Sequence, residues 1–137
     1  MMATDKTRYK RYVARALDGV LVLDKPTDIS SNQALQQVRH LFQAKKAGHG
    51  GTSDPLATGL LLICFGRATR LLRFMLDADK AYQVVAQLGA NTDTGDAQGA
   101  MTATYTVKVD ETDIKKALKH FEGESLQVPP MYSALKH

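Results

Sequence analysis

Apolar and polar positions along the 137-residue chain change spacing several times, and each change marks an element. GVLVLDKP (19–26) is a short apolar run stopped by proline, which predicts a buried strand. In DISSNQALQQVRHLF (28–42), the cap residues Ser30, Ser31 and Asn32 precede Leu35, Val38, Leu41 and Phe42 at helical spacing. LLLICFG (60–66) predicts a strand ended by Gly66, and ATRLLRFMLDAD (68–79) a helix with Leu71, Leu72, Met75 and Leu76 facing inward. KAYQVVAQLG (80–89) and MTATYTVKV (101–109) alternate and predict two strands, joined through the turn-rich, acidic stretch ANTDTGDAQG (90–99). DETDIKKALKHF (110–121) has an acidic start and Ile114, Leu118 and Phe121 at helical spacing. The segment 122–137 carries a Pro-Pro break and a short apolar stretch. The pattern predicts an α+β fold: a mixed or antiparallel sheet with flanking helices, and no internal repeat.

Charge distribution adds to this picture. The net charge is +4, and residues 1–15 hold five bases against one acid. Residues 39–80 hold seven bases against three acids, whereas 91–124 hold four bases and seven acids. Basic charge therefore gathers in the leader, taken as 1–17, and around the Gly-rich stretch that follows the first helix. Such a distribution suits a polyanionic partner, with an ordinary solvated surface as the plainer alternative. The single cysteine, Cys64, excludes an internal disulfide and a zinc spacing, and reads as a buried core thiol in a reducing cytoplasm. No apolar run approaches the roughly 20 residues of a membrane span, and no secretory signal pattern is present.

The stretch GHGGTSDPLATG (48–59) has four glycines, one His, one Asp and one Pro, and does not read as a core helix or central strand. Asp54 precedes Pro55, which drives its backbone toward extended geometry. A tight Gly-Gly-Thr-Ser run could hold the carboxylate up from the surface as a nucleophile or general base. The structural alternative is an Asx-turn that organises the loop. Gly48, Gly50 and Gly51 would let a ligand approach the backbone, although the loop is neither a Walker loop nor a dinucleotide fingerprint. His49 reads equally as a general base, an RNA contact or a turn residue.

Seven words stand in order: LDKP (23–26), SSN (30–32), AGHGGTSDPLATGLL (47–61), GRAT (66–69), DKAYQV (79–84), LGANTDTGDAQG (88–99) and PPMYSALK (129–136). Together they resemble the bacterial tRNA pseudouridine synthases that modify the T-loop uridine, position 55 of tRNA, over about residues 18–137. The resemblance implies an α+β pseudouridine synthase catalytic domain, here incomplete, with the leader at 1–17 and the N-terminal portion of that domain at 18–137. It assigns the catalytic carboxylate to Asp54 and stacking on the target uracil to Tyr82. It gives His49 a contact with RNA at the flipped base, and Lys25 a supporting position beside the active site. It implies no cofactor and no metal.

Four positions depart from the family's pattern. Gly50 stands for Thr, Ser53 for Leu, Leu62 for a frequent Pro, and Arg67 for Glu. The first removes a bracing hydroxyl, the second an apolar anchor beside Asp54, and the last adds positive charge. The family's later Tyr-Ile-Arg word, with the Arg that pairs with the catalytic Asp, does not occur, and the RNA-binding C-terminal domain would follow residue 137. The chain is therefore expected to be truncated and to lack turnover in isolation. The expected function is isomerisation of uridine to pseudouridine in the tRNA T-arm by a monomeric cytoplasmic enzyme. The rival is a non-catalytic RNA-binding or RNA-folding module.

Overall fold

The computed structural model describes residues 14–126. The first part of the basic leader and the PPMYSALK word lie outside the described residues. The chain divides into two units, one running to Ala81 and one starting at Tyr82.

The first unit is built on a three-stranded antiparallel sheet: β1 (Gly19–Lys25), β2 (Ala47–His49) and β3 (Gly59–Phe65), in the order β1-β3-β2. Helix α1 (Ser31–Leu41) connects β1 to β2. Successive strand residues face opposite sides. Leu61, Ile63 and Phe65 of β3 point to one face, where they form the core with Ala34, Leu35 and Val38 of α1 and with Ala44. Cys64 faces the other way and is also buried, which pushes its thiol pKa up. β3 is thus the buried strand. β1 is an edge strand, with Leu21 and Leu23 packed against the core but Val20 and Val22 exposed, so its apolar run is buried on one side only. Leu41, the last residue of α1, points to solvent, and Ala34 near the start of the helix joins the inward stripe.

The predicted helix at 68–79 appears as a 3-10 segment, Gly66–Leu71, leading into a single short helix, α2 (Leu72–Leu76). Leu72 and Met75 are half-buried, while Leu71 and Leu76 are exposed, so the inward stripe is half as wide as its spacing suggests. A Cβ on Gly48 would meet Leu72 Cδ1 at 2.8 Å, and one on Gly50 would meet Met75 Cβ at 3.3 Å. These two glycines therefore admit the side chains of α2, and Gly51 is the one of the three with open space around it.

The second unit holds a short antiparallel pair, β4 (Ala90–Thr92) with β5 (Met101–Thr104), and helix α3 (Glu111–Leu118). The pairing of the two predicted strands is seen only next to their connecting loop, and Tyr105 N–H extends it by one bond to the Gly89 carbonyl, 2.8 Å. Residues 80–88 form no strand, and Tyr82, Val84 and Val85 are exposed. Their alternation finds no ladder partner among the described residues, and a lone extended segment is not stable as a strand. α3 is started by a capping box in which Asp110 accepts from Asp113 N–H. Its apolar positions Ile114 and Leu118, with Phe121 just beyond it, remain exposed.

Candidate active site

Asp54 lies on the connection between β2 and β3, at the end of the sheet where Lys25 pairs with Gly59. Its carbonyl accepts from Ala57 N–H at 3.0 Å, closing a turn with Asp first and Pro55 second, an order that turn geometry favours. The carboxylate is exposed and makes no hydrogen bond or ion pair among the described residues. The Asx-turn alternative is therefore not what shapes this loop. Neighbours on both sides fix the backbone and leave the side chain free.

On the upstream side, Ser53 N–H donates to Ser31 Oγ at 3.0 Å, and the two hydroxyl oxygens are 3.3 Å apart. Ser31 is the first residue of α1 and is 2% exposed. Its neighbour Ser30 performs the capping, accepting from Gln33 N–H at 3.2 Å in a reciprocal capping box. A pair of serines thus divides two tasks, one starting the helix and one holding the loop. The sequence assigned both to the helix. The surplus of cap residues at 30–32 was the available signal.

Downstream, the carbonyl of Pro55 accepts from Asp28 N–H at 2.8 Å and from Lys25 Nζ at 3.3 Å. Asp28 itself sits in the left-handed region, with φ 65°. Lys25 is 1% exposed, and its ammonium also donates to the carbonyls of Pro26, 3.0 Å, and Ile29, 2.8 Å. Three carbonyls use its three donors, which is what allows so polar a head to be buried. Thr27 Oγ1 donates to the Leu56 carbonyl at 3.4 Å, adding a weaker tie between the same two loops. Lys25 is thus a clamp on the backbone next to Asp54, and its three donors are occupied by carbonyls.

His49 ends β2 opposite Ile63, and its Nδ1 is buried with no hydrogen-bond partner among the described residues. A buried orphan of this type calls for an explanation by function or a missing partner. Tyr82 belongs to the second unit and is exposed, in an irregular segment. Of the four residues singled out from the sequence, Lys25 and Asp54 are brought into one hydrogen-bonded loop assembly. The departure at Ser53 exchanges an apolar anchor for a polar one, through Ser31. The charge added at Arg67 is matched by Asp18, which accepts from Arg67 Nε at 2.7 Å and Arg67 N–H at 2.6 Å. Two hollows in the first unit, of about 240 and 590 Å³, lie away from this loop, so the exposed carboxylate is not enclosed by either.

Asp54 and the turn that carries it, at one end of the antiparallel sheet, fall within the stretch that matches a known family. Residues 39–137 match the family model described as TruB family pseudouridylate synthase (N terminal domain), and the chain belongs to that family. It is 58% identical over 123 residues to tRNA pseudouridine synthase B of Pasteurella multocida, covering 90% of this chain and 40% of the relative. It is 52% identical over 131 residues to the protein of the same name from Tolumonas auensis, covering 96% and 40%. Among solved structures it is similar to a chain of a Cbf5-Nop10-Gar1 complex, with TM-score 0.60 and 32% identity over 86% of this chain and 31% of that one. A second similar chain is from an H/ACA RNP bound to a substrate RNA containing 2'-deoxyuridine, with TM-score 0.56, 31% identity and coverage of 80% and 29%. The chain spans about 40% of the length of the curated relatives it matches.

Proposed function

We propose that the protein carrying this chain isomerises uridine to pseudouridine in the T-arm of tRNA, at position 55, with Asp54 as the catalytic carboxylate. Residues 18–137 would be the N-terminal portion of its catalytic domain. One observation carries the reading: Asp54 presents a free carboxylate on a turn whose flanking residues are held by Ser31, Asp28 and Lys25. A reacting group held by supporting bonds to its neighbours is the arrangement catalysis requires.

The chemistry follows from the reaction. The N-glycosidic bond breaks, the uracil turns, and its C5 bonds to the ribose. The target must first leave the RNA stack, which costs a few kcal/mol. Tyr82, an exposed aromatic ring, would return about 1–3 kcal/mol by stacking on the base. The Asp54 carboxylate then acts as nucleophile or as base at the ribose. Lys25 positions it through the Pro55 carbonyl, and His49 contacts the RNA near the flipped base. The working enzyme is a cytoplasmic monomer in this reading, and no cofactor takes part.

Tritium release from C5-labelled tRNA measures turnover. Asp54→Asn keeps the turn, because the bonds that hold it are made to backbone groups and do not use the carboxylate, and is expected to abolish release. Wild-type release from the Asn variant would sink the assignment of Asp54, and no release from the unsubstituted enzyme would leave the non-catalytic RNA-binding reading in its place.

A further inference from the structure

At the opposite end of the sheet from Asp54, Lys45, Lys46, Arg67 and Arg70 line an open groove of about 590 Å³ together with Asp18 and Gly66. β1 runs from Gly19, paired with Phe65 at the groove end, to Lys25, paired with Gly59 at the Asp54 end. At about 3.3 Å per residue, the groove lies roughly 20 Å along the sheet from the candidate site. Nothing in the proposed chemistry uses it.

The elements that form the groove are fixed. Gly66 N–H donates to the Lys46 carbonyl at 3.0 Å, and Lys45 N–H donates to the Arg15 carbonyl at 2.9 Å. Gly66 has φ 53°, and a Cβ there would collide with the Leu17 carbonyl oxygen, so the backbone at the groove closes tightly. The bases themselves are exposed. Arg67 is matched by Asp18, whereas the Lys45, Lys46 and Arg70 side chains make no ion pair among the described residues. Three unneutralised cations therefore share one hollow on a rigid frame.

Their exposure decides the ligand class. A single small anion is held by buried, converging donors, and none of these cations is buried. Solvated cations spread along a groove instead attract an extended polyanion, by releasing its condensed counterions. We propose that this groove binds the phosphodiester backbone of RNA, with Lys45, Lys46 and Arg70 as the contacts. It is a positioning surface about 20 Å from the nucleotide that Asp54 would modify. Backbone contacts of this kind fix register and carry no base readout. The choice of RNA rests on the proposed function, while the groove itself rests on its charge and geometry.

The test is binding of a fluorescein-labelled T-arm stem-loop RNA, followed by anisotropy over a series of potassium chloride concentrations. The variant is the triple Lys45→Gln/Lys46→Gln/Arg70→Gln. Its partner is a charge-matched control in the second unit, Lys108→Gln/Lys116→Gln/Lys119→Gln. The groove variant is expected to weaken binding at least about tenfold at low salt and to flatten the salt slope by about 2–3 units, near one per lost phosphate contact. The control is expected to change both far less. All replaced side chains are exposed, and unchanged thermal unfolding would confirm that folding is intact. Four results would overturn the proposal: no RNA binding by the unmodified chain, unchanged affinity and slope in the groove variant, equal loss in the control, or equal competition by polyglutamate. Asp54→Asn is expected to bind this RNA as tightly as the parent. If it also keeps full isomerisation while the groove variant loses affinity, the catalytic reading fails and the groove stands.

Discussion

The two units show contrasting ways of making secondary structure. In the first, β3 has both faces covered, and Ile63 and Cys64 are 0% exposed. In the second, no described residue is buried, although β4, β5 and α3 are formed. Its helix is held by local chemistry, a capping box at Asp110 and a Glu111–Lys115 pair one turn apart. Element formation is thus separate from burial: capping and spacing suffice for the first, while the second needs an apolar partner surface. The loop carrying Asp54 sits on the unit whose bonds are long-range, with Lys25 reaching 30 residues along the chain to Pro55.

The largest expected effect tests this contrast directly. Ile63→Ala removes a fully buried side chain from the central strand and should cost about 2–5 kcal/mol. Ile114→Ala, on the exposed face of α3, should cost about 0.5 kcal/mol. Denaturant unfolding gives both values, and equal losses would erase the distinction between the units. Amide hydrogen exchange should agree, with β3 amides protected far longer than those of β4 and β5.

Two lysines sharpen the comparison at the next scale. Lys25→Met withdraws a buried ammonium from three carbonyls and should destabilise the first unit by about 1.5–3 kcal/mol. Lys115→Met breaks an exposed helix pair and should cost about 0.3–0.5 kcal/mol. Lys25→Met should also slow tritium release in the full-length protein at temperatures where it stays folded, because the Pro55 carbonyl loses one of its two donors and keeps only Asp28 N–H. Undiminished release from the folded variant would show that the clamp serves stability alone.

The sequence was most informative where a local rule and burial agree. The strand at 19–26, the helix from Ser31 and the strand at 60–66 were legible because their apolar spacing coincides with a covered face. Asp54 was legible as a candidate nucleophile or base from Asp-Pro in a Gly-rich run, and the family resemblance set that reading above the Asx-turn alternative. The hold of Ser31 on Ser53 was not legible, because a hydrogen bond across 22 residues leaves no spacing signal. The roles of Gly48 and Gly50 were misread as ligand access for the same reason: Leu72 and Met75, which cover them, come more than 20 residues later. The strand expected at 80–89 failed because alternation reports a two-faced segment and does not supply a ladder partner.

A loop-holding hydroxyl, Ser31, and a capping carboxylate, Asp110, provide a smaller contrast. Ser31→Ala removes the acceptor for Ser53 N–H and should cost about 1 kcal/mol, with a fall in turnover because the residue before Asp54 is released. Asp110→Ala removes the α3 cap and should also cost about 1 kcal/mol, seen as lost helicity in the second unit. Similar stability losses with different effects on tritium release would place the loop support in the first unit. A Ser31→Ala enzyme with full turnover would remove Ser31 from the positioning of Asp54.

The smallest effect concerns acid. Asp18 and Asp96 both have pKa values lowered from the ordinary aspartate value, for different reasons. For Asp18 the main cause is the Arg67 backbone N–H, followed by the Arg67 side chain. For Asp96 it is the Thr94 hydroxyl, followed by the Gln98 N–H. A carboxylate with a lowered folded-state pKa contributes stability above its unfolded value, about 3.9, and loses that contribution as pH falls through the folded-state value. Both contributions are therefore complete at neutral pH and vanish in strong acid. Their consequences should differ. Asp18 ties residue 18 to residue 67 across the end of the sheet, whereas Asp96 bonds only within its own loop. Titration followed by NMR should place both midpoints below the usual aspartate range. Protonating Asp18 should shift amide signals at Arg67 and at the start of β1, while protonating Asp96 should shift signals only within 92–100. Asp18→Asn should reduce the acid-side fall in stability of the first unit and leave the Asp96 midpoint unchanged. A midpoint for Asp18 at or above the usual value would show that its tie to Arg67 does not persist in solution, and with it would go the view that Arg67 is a neutralised member of the basic groove.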